Sequence, residues 1–148
     1  AVKVRAALTA GLVPILCVGE PWSVRQQGFG AAQAYVRKQL TACLAPITRY
    51  RLPITRLLVA YEPVWAISTS LDRRDETPED AARMAISISK LLITRYSLLT
   101  PRVFYGGSVS AGNAAAFLSR TEFSGLLVGG ASIKPAEFKK ILKINSKF

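Results

Sequence analysis

Short apolar runs and longer stretches with helical spacing alternate along the whole chain. The runs near Val13–Val18, Arg56–Tyr61, Arg102–Tyr105 and Gly125–Val128 are continuous rather than alternating, which predicts strands covered on both faces. Apolar residues recur at helical spacing near Ala31–Leu44, Pro78–Tyr96, Gly112–Leu118 and Pro135–Ile144. Ala1 to Leu12 reads as the end of an amphipathic helix. Strand followed by helix, four times over, predicts parallel βα units. No linker divides them, so residues 1–148 read as one architectural unit.

The helix starts are well signalled. Thr77-Pro78-Glu79-Asp80 offers an N-cap, a proline in the first turn and an acid three residues on. Ala81, Met84, Ile88 and Leu91 follow on one helical face, which makes Met84 a core residue. Pro135 opens the last helix in the same manner.

The unusual residues gather where the strands end. The four exits read Val18-Gly19-Glu20, Tyr61-Glu62-Pro63, Tyr105-Gly106-Gly107-Ser108 and Val128-Gly129-Gly130-Ala131-Ser132. Parallel α/β folds place their sites on that C-terminal rim. Pro63 cannot donate to a sheet ladder, so the second strand stops there and Glu62 is presented at its mouth. Pro63 and Trp65 nearby would strip water from the carboxylate and raise its basicity, as a general base requires. A solvated Glu at a strand end is the plainer alternative. Two Gly-Gly exits change that balance, because bare backbone can approach a ligand closely and amides at a helix start bind anions. Together they read as a phosphate cradle with a base beside it.

Composition narrows the function classes. The chain is 148 residues long and half of it is hydrophobic, enough for a real core. No apolar run approaches the roughly 18 residues of a membrane span, and the N-terminus does not resemble a secretory signal. Cys17 falls on a predicted strand and Cys43 on a predicted helix, which suits two free thiols in a reducing cytoplasm. Histidine is absent and no cluster has metal-ligand spacing, so no metal or cofactor is expected. The net charge of +11 fits an anionic partner. The basic residues are scattered without aromatic interleaving, however, which argues against nucleic acid.

The same residues resemble the triosephosphate isomerase family. Pro14-Ile15-Leu16-Cys17-Val18-Gly19-Glu20 is similar to its fifth strand, and Tyr61-Glu62-Pro63-Val64-Trp65-Ala66-Ile67 to its sixth strand and the start of its mobile lid. Tyr105-Gly106-Gly107-Ser108-Val109 and Val128-Gly129-Gly130-Ala131-Ser132 are similar to the exits of strands seven and eight. The resemblance implies the C-terminal half of a (β/α)8 barrel. It also implies that Glu62 shuttles a proton between C1 and C2 of a triose phosphate. Gly129 and Gly130 would bind the phosphate through backbone N–H groups, with Ser108 beside them and Ser68 at the lid position that does the same. Pro63, Val64, Trp65, Ala66 and Ile67 would form the lid's hinge and first part. The resemblance gives Glu20 to the Trp65 indole and Tyr105 to the closed lid, while a purely structural role for either stands beside these.

Two departures follow from the comparison with the family pattern. The family's Gly-Thr-Gly lid tip is replaced by Ser68-Thr69-Ser70, and the lid is about three residues longer through Leu71-Asp72-Arg73-Arg74-Asp75-Glu76. The second departure is larger. The family barrel has eight βα units in roughly 250 residues, whereas four are present here. The first-strand Asn and Lys, the fourth-strand His and the dimer-building third loop have no counterpart. The expectation is therefore one half of the enzyme, inactive until an N-terminal half-barrel carrying Asn, Lys and His completes it as a homodimer. A non-catalytic, self-associating half-barrel that binds phosphorylated or nucleic-acid anions is the alternative.

Overall fold

A computed structural model describes residues 1–50, 53–71 and 73–146, with the side chains of residues 46, 48 and 49 left out. Asp72, in the stretch expected to lengthen the lid, lies outside the described residues. The elements are α1 (Val2–Thr9), β1 (Ile15–Val18), α2 (Trp22–Arg25), α3 (Phe29–Tyr50), β2 (Leu58–Tyr61), α4 (Pro78–Tyr96), β3 (Arg102–Tyr105), α5 (Ala114–Leu118), β4 (Gly125–Leu126) and α6 (Pro135–Asn145). Short 3-10 turns at Ile54–Arg56, Val64–Ala66 and Gly130–Ile133 punctuate them.

The strands lie in sequence order, β1-β2-β3-β4, all parallel. Ile15, Leu58 and Arg102 stand abreast, as do Cys17, Ala60, Phe104 and Gly125. Because side chains alternate along a strand, the second row shares a face with the first. The other face carries Val18, Val59, Tyr61, Val103 and Tyr105, which join the helices in the core.

The helix layer is built on that outer face. Thr77 caps α4 by accepting from the Asp80 N–H at 3.2 Å, with Pro78 at its first position. One face of α4 buries Ala81, Met84, Ala85, Ile88 and Leu92 completely or nearly so. Each large apolar side chain so buried contributes roughly 1.5–3 kcal/mol. α4 ends at Ser97, whose left-handed φ of 55° lets Leu98 N–H return to the Leu92 carbonyl. Tyr105 stacks on Phe117 of α5 at 3.9 Å between ring centroids, with Phe123 alongside.

The expectation of strands covered on both faces needs correction. Ile15 is 48% exposed and Cys17 is also exposed, while Phe104 is only partly covered. The inner face is thus open along β1 and partly open at β3, although Ala60 between them is fully buried, and continuous apolar runs here mark a surface built to be covered. The strand ends shift too: Val13 and Pro14 stay outside β1, Arg56 belongs to a 3-10 turn, and β4 shortens to Gly125–Leu126. Position 125 has a φ of 148°, and a Cβ there would meet the Phe104 ring at 3.1 Å, so only glycine suits it.

Candidate active site

Glu62 follows β2 directly, and its N–H donates to the Val18 carbonyl at 2.7 Å, prolonging the β1–β2 ladder by one bond. Parity with Leu58 and Ala60 puts its side chain on the inner face, at the C-terminal rim. A half-buried carboxylate results, anchored on rigid backbone and open toward the barrel interior.

Two glycines make room for it. A Cβ at Gly106 would lie 2.6 Å from Glu62 Cγ, so the carboxylate side chain passes over that bare backbone. A Cβ at Gly19 would collide with the Glu62 carbonyl and the Pro63 nitrogen. Both glycines therefore serve the position of Glu62 more than any turn of their own. Cys17, inward-facing on β1, is the neighbour that motif reading missed. Partial burial first, and then the hydrogen-bonding and charged Glu62 carboxylate, push its thiol up to about 12, although the residue as a whole is exposed. Strand parity alone carries this signal, since Cys17 and Glu62 sit on one face of adjacent strands.

Trp65 points its indole N–H to the exit of the neighbouring strand β1. It is buried, its Nε1 donates to Glu20 Oε1 at 3.1 Å, and its ring meets Trp22 edge-on at 5.3 Å. Glu20 is fully buried and also accepts from the Tyr61 hydroxyl, 3.2 Å from each carboxylate oxygen. Burial, followed by the nearby charges of Glu20 and Glu76, raises the Tyr61 hydroxyl well above its ordinary range, which keeps it a donor.

The segment after Glu62 loops out and returns. Pro63 is buried, Val64–Ala66 forms a 3-10 turn, and Val64 N–H donates to the Glu20 carbonyl. Ile67 is half-buried and Ser68 exposed, with Ser68 Oγ 3.4 Å from where a Cβ of Gly130 would stand. The loop is closed at its neck by Arg74 N–H donating to the Trp65 carbonyl at 2.9 Å. Arg74 also lies over the Trp22 ring at 4.4 Å.

Ser108 and the two glycine exits flank this loop. Ser108 N–H donates to the Ala66 carbonyl at 2.7 Å, which ties the β3 exit to the loop after Glu62. Arg73, from the lengthened part of the loop, reaches back to donate to Ser108 Oγ at 3.2 Å. Nothing stands within 4 Å of a Cβ position at Gly129, and Gly130 begins a 3-10 turn, so this exit presents open backbone. Tyr105 is buried on the opposite side, in the core with Phe117, and burial raises its hydroxyl above the ordinary range. The structure thus brings Glu62, Ser68, Ser108, Gly129 and Gly130 to one rim. Glu20 and Tyr105 lie behind it.

Among the described residues no group of His, Cys, Asp and Glu could hold a metal ion, and no helix is long and apolar enough to cross a membrane.

Four parallel βα units with their polar residues on the C-terminal rim define half of a (β/α)8 barrel. The family model of triosephosphate isomerase matches residues 1–145, and the chain belongs to that family. Among its curated relatives, the triosephosphate isomerase of Acidithiobacillus ferrooxidans is 41% identical over 95% of this chain and 53% of its own length. That of Thermus thermophilus is 42% identical over 96% of this chain and 55% of its own. That of Dictyoglomus thermophilum is 38% identical over 95% and 55% respectively. The chain spans about half the length of these relatives.

Proposed function

We propose that this chain supplies the base and the phosphate cradle of a triosephosphate isomerase, which interconverts dihydroxyacetone phosphate and D-glyceraldehyde 3-phosphate. The observation that carries this reading is the Glu62 carboxylate lying over Gly106 on the rim it shares with Ser68, Ser108 and Gly130. A Glu base paired with a neutral His electrophile, under a lid that excludes water, is the established pattern of the family.

In this reading Glu62 takes the proton from one substrate carbon and returns it to the next. The Gly129 and Gly130 amides hold the phosphate, and the Ser68 amide joins them from the lid. Ser108 releases its bond to Ala66 and turns its N–H to the same anion. Pro63 to Ile67 pivot as the hinge, with Glu20 holding Trp65 and Tyr105 bracing the closed loop. No cofactor takes part.

Proton abstraction next to a carbonyl needs a partner that polarises the oxygen, and such groups act as a unit. With no histidine in the sequence, the electrophile comes from further βα units, of the same polypeptide or another. Exposed Ile15 and Cys17 on the open inner face support such a complement. The completed barrel works as a cytoplasmic homodimer.

The test combines this chain with an N-terminal half-barrel that carries the Asn, Lys and His, and follows glyceraldehyde 3-phosphate isomerisation. Turnover by the pair, absent from either half and abolished by Glu62→Gln, supports the proposal. A pair without activity, or one indifferent to Glu62→Gln, refutes it. A stable homodimer of this chain that does not exchange with the N-terminal half refutes the complementation.

A further inference from the structure

The lengthened lid ends in a buried carboxylate that the chemistry above does not use. Glu76 is 8% exposed, and it stands at the point where the loop rejoins α4. Its Oε2 lies 3.5 Å from the Tyr61 hydroxyl, the same hydroxyl that sits 3.2 Å from both oxygens of Glu20. Glu20 in turn accepts from the Trp65 indole at the start of the loop. Two buried carboxylates, Glu76 at the end of the lid and Glu20 at the β1 exit, thus converge on a single O–H.

Counting hydrogens decides how that arrangement can hold. A tyrosine hydroxyl has one hydrogen to give and lone pairs with which to accept. Its hydrogen goes to Glu20, the nearer acceptor. An ionised Glu76 would then face a lone pair with nothing to donate, beside a second buried anion. A protonated Glu76 donates to that lone pair and completes a one-directional chain, from Glu76 through Tyr61 to Glu20, which also receives the indole N–H.

The charges around Glu76 come from every element packed there. Arg25 of α2 approaches Glu76 Oε1 at 3.5 Å but makes its short contact, 2.7 Å, with Asp80 of α4. Asp80 also pairs with Arg83 at 3.0 Å. Glu20 follows β1, Tyr105 of β3 is close enough to feel the Glu76 charge, and the Thr77 backbone hydrogen-bonds the carboxylate. Arg74 of the lid spends its guanidinium on the Trp22 ring. Arg25 is thus divided between Glu76 and Asp80 and makes its shorter contact with Asp80, while Glu20 adds a second buried carboxylate beside Glu76, which leaves room for a proton. In keeping with this, burial first raises the Glu76 carboxyl to about 7, with Asp80 and Glu20 adding to the rise and Arg25 opposing it.

We propose that Glu76, in its protonated form, is the positioning residue that clasps the end of the lid to its beginning through Tyr61, Glu20 and Trp65. The inference rests on reading the loop that follows Glu62 as a lid, as the proposed function does. The clasp is strongest in acid and weakens as pH rises from 4.5 to about 7, so the lid opens more readily at neutral pH and above than in acid.

The experiment uses the full chain without substrate, so that its outcome is independent of the isomerase test. Carboxyl carbon NMR follows the Glu76 titration, and amide hydrogen exchange across residues 65–74 reads the clasp. In the unsubstituted chain, Glu76 titrates near pH 7, and lid protection falls by up to about tenfold per pH unit as pH rises from the ordinary carboxyl value of 4.5 to about 7 and levels off above it, after correction for intrinsic exchange. Glu76→Gln keeps a donor toward Tyr61, so it retains protection and loses the pH dependence. Glu76→Ala loses protection at every pH. The proposal is overturned if Glu76 titrates in the ordinary carboxylate range, if lid exchange ignores its titration, or if the Gln variant behaves like the Ala variant. Should Glu76→Ala not fold, the titration of the unsubstituted chain and the Gln variant still decide.

Discussion

Gly106 lies directly beneath the side chain of Glu62: a Cβ at that glycine falls 2.6 Å from Cγ and 2.9 Å from Oε1 of the carboxylate. The two positions lie abreast just past the ends of adjacent parallel strands and share the inner face. A methyl group at position 106 meets the far part of a side chain that can swing away. Gly106→Ala should therefore leave the fold intact and move the carboxylate by about 1 Å, a displacement that costs on the order of 10²-fold in turnover. Isomerase assays of the chain combined with its complementary half, alongside urea denaturation, check both parts.

Gly19 gives the opposite outcome although its sequence context looks the same. A Cβ there collides with the backbone of Glu62 and Pro63 rather than with a side chain. Backbone cannot step aside cheaply, and overpacking of this kind costs about 1–3 kcal/mol or more. Gly19→Ala should lower the urea midpoint, with activity falling only as folded protein is lost or Glu62 is dragged with its backbone.

Glu20 is a buried carboxylate held by the Trp65 indole and the Tyr61 hydroxyl. Its removal as Glu20→Ala strands two buried donors, each costing about 1–3 kcal/mol. Denaturation should show a loss of about 2–6 kcal/mol, and Trp65 fluorescence should report a changed indole environment in the folded state. Glu20→Gln keeps an acceptor and loses less.

Much of this arrangement was legible before any coordinates. The α4 helix runs from Pro78 to Tyr96 as its capping residues and periodicity indicate, and β3 covers Arg102–Tyr105 as expected. Both have signals within their own sequence. α3 extends to Tyr50, past the expected end at Leu44, because packing against α1, α2 and α4 holds turns that local pattern does not announce. The short α2 helix over Trp22–Arg25 has no side-chain cap and too few residues for a period, so nothing local marks it. At the site, Glu62 and the glycine exits were readable because strand ends gather on one rim. Cys17, Arg73 and Glu76 were not, since their roles come from side chains meeting across 45, 35 and 15 residues of chain respectively.

Arg73 tests how firmly the lengthened loop is tied down. Its guanidinium bridges Ser108 Oγ and Asp75, and both side chains of the Arg73–Asp75 pair are largely exposed. Exposed pairs contribute little to global stability, so Arg73→Ala should leave the denaturation midpoint unchanged within error. Amide exchange at Ser70 and Leu71 should nevertheless quicken, because a tether to the β3 exit has gone. Unchanged exchange would show that the Arg74–Trp65 backbone bond and the rest of the neck suffice.

Cys17 offers a chemical probe of the Glu62 carboxylate itself. Its thiol rises from 9.0 to about 12 through partial burial and then through Glu62 as hydrogen-bond acceptor and charge. The folded chain thus holds this proton across a window, from 9.0 to about 12, in which the unfolded chain releases it. Stability from this group is present below that window and is lost as pH rises through it. Reactivity follows the same sign, since the thiolate is the nucleophile. In a Cys43→Ser background, iodoacetamide should modify Cys17 at pH 8 some 10²–10³-fold more slowly than the urea-unfolded chain, despite the open inner face. Glu62→Gln removes the charge and weakens the acceptor, so alkylation of the folded protein should accelerate and its pH profile should move to lower pH. If the rate is instead unaffected by Glu62→Gln, the two side chains do not face each other and the inner-face placement of Glu62 is wrong.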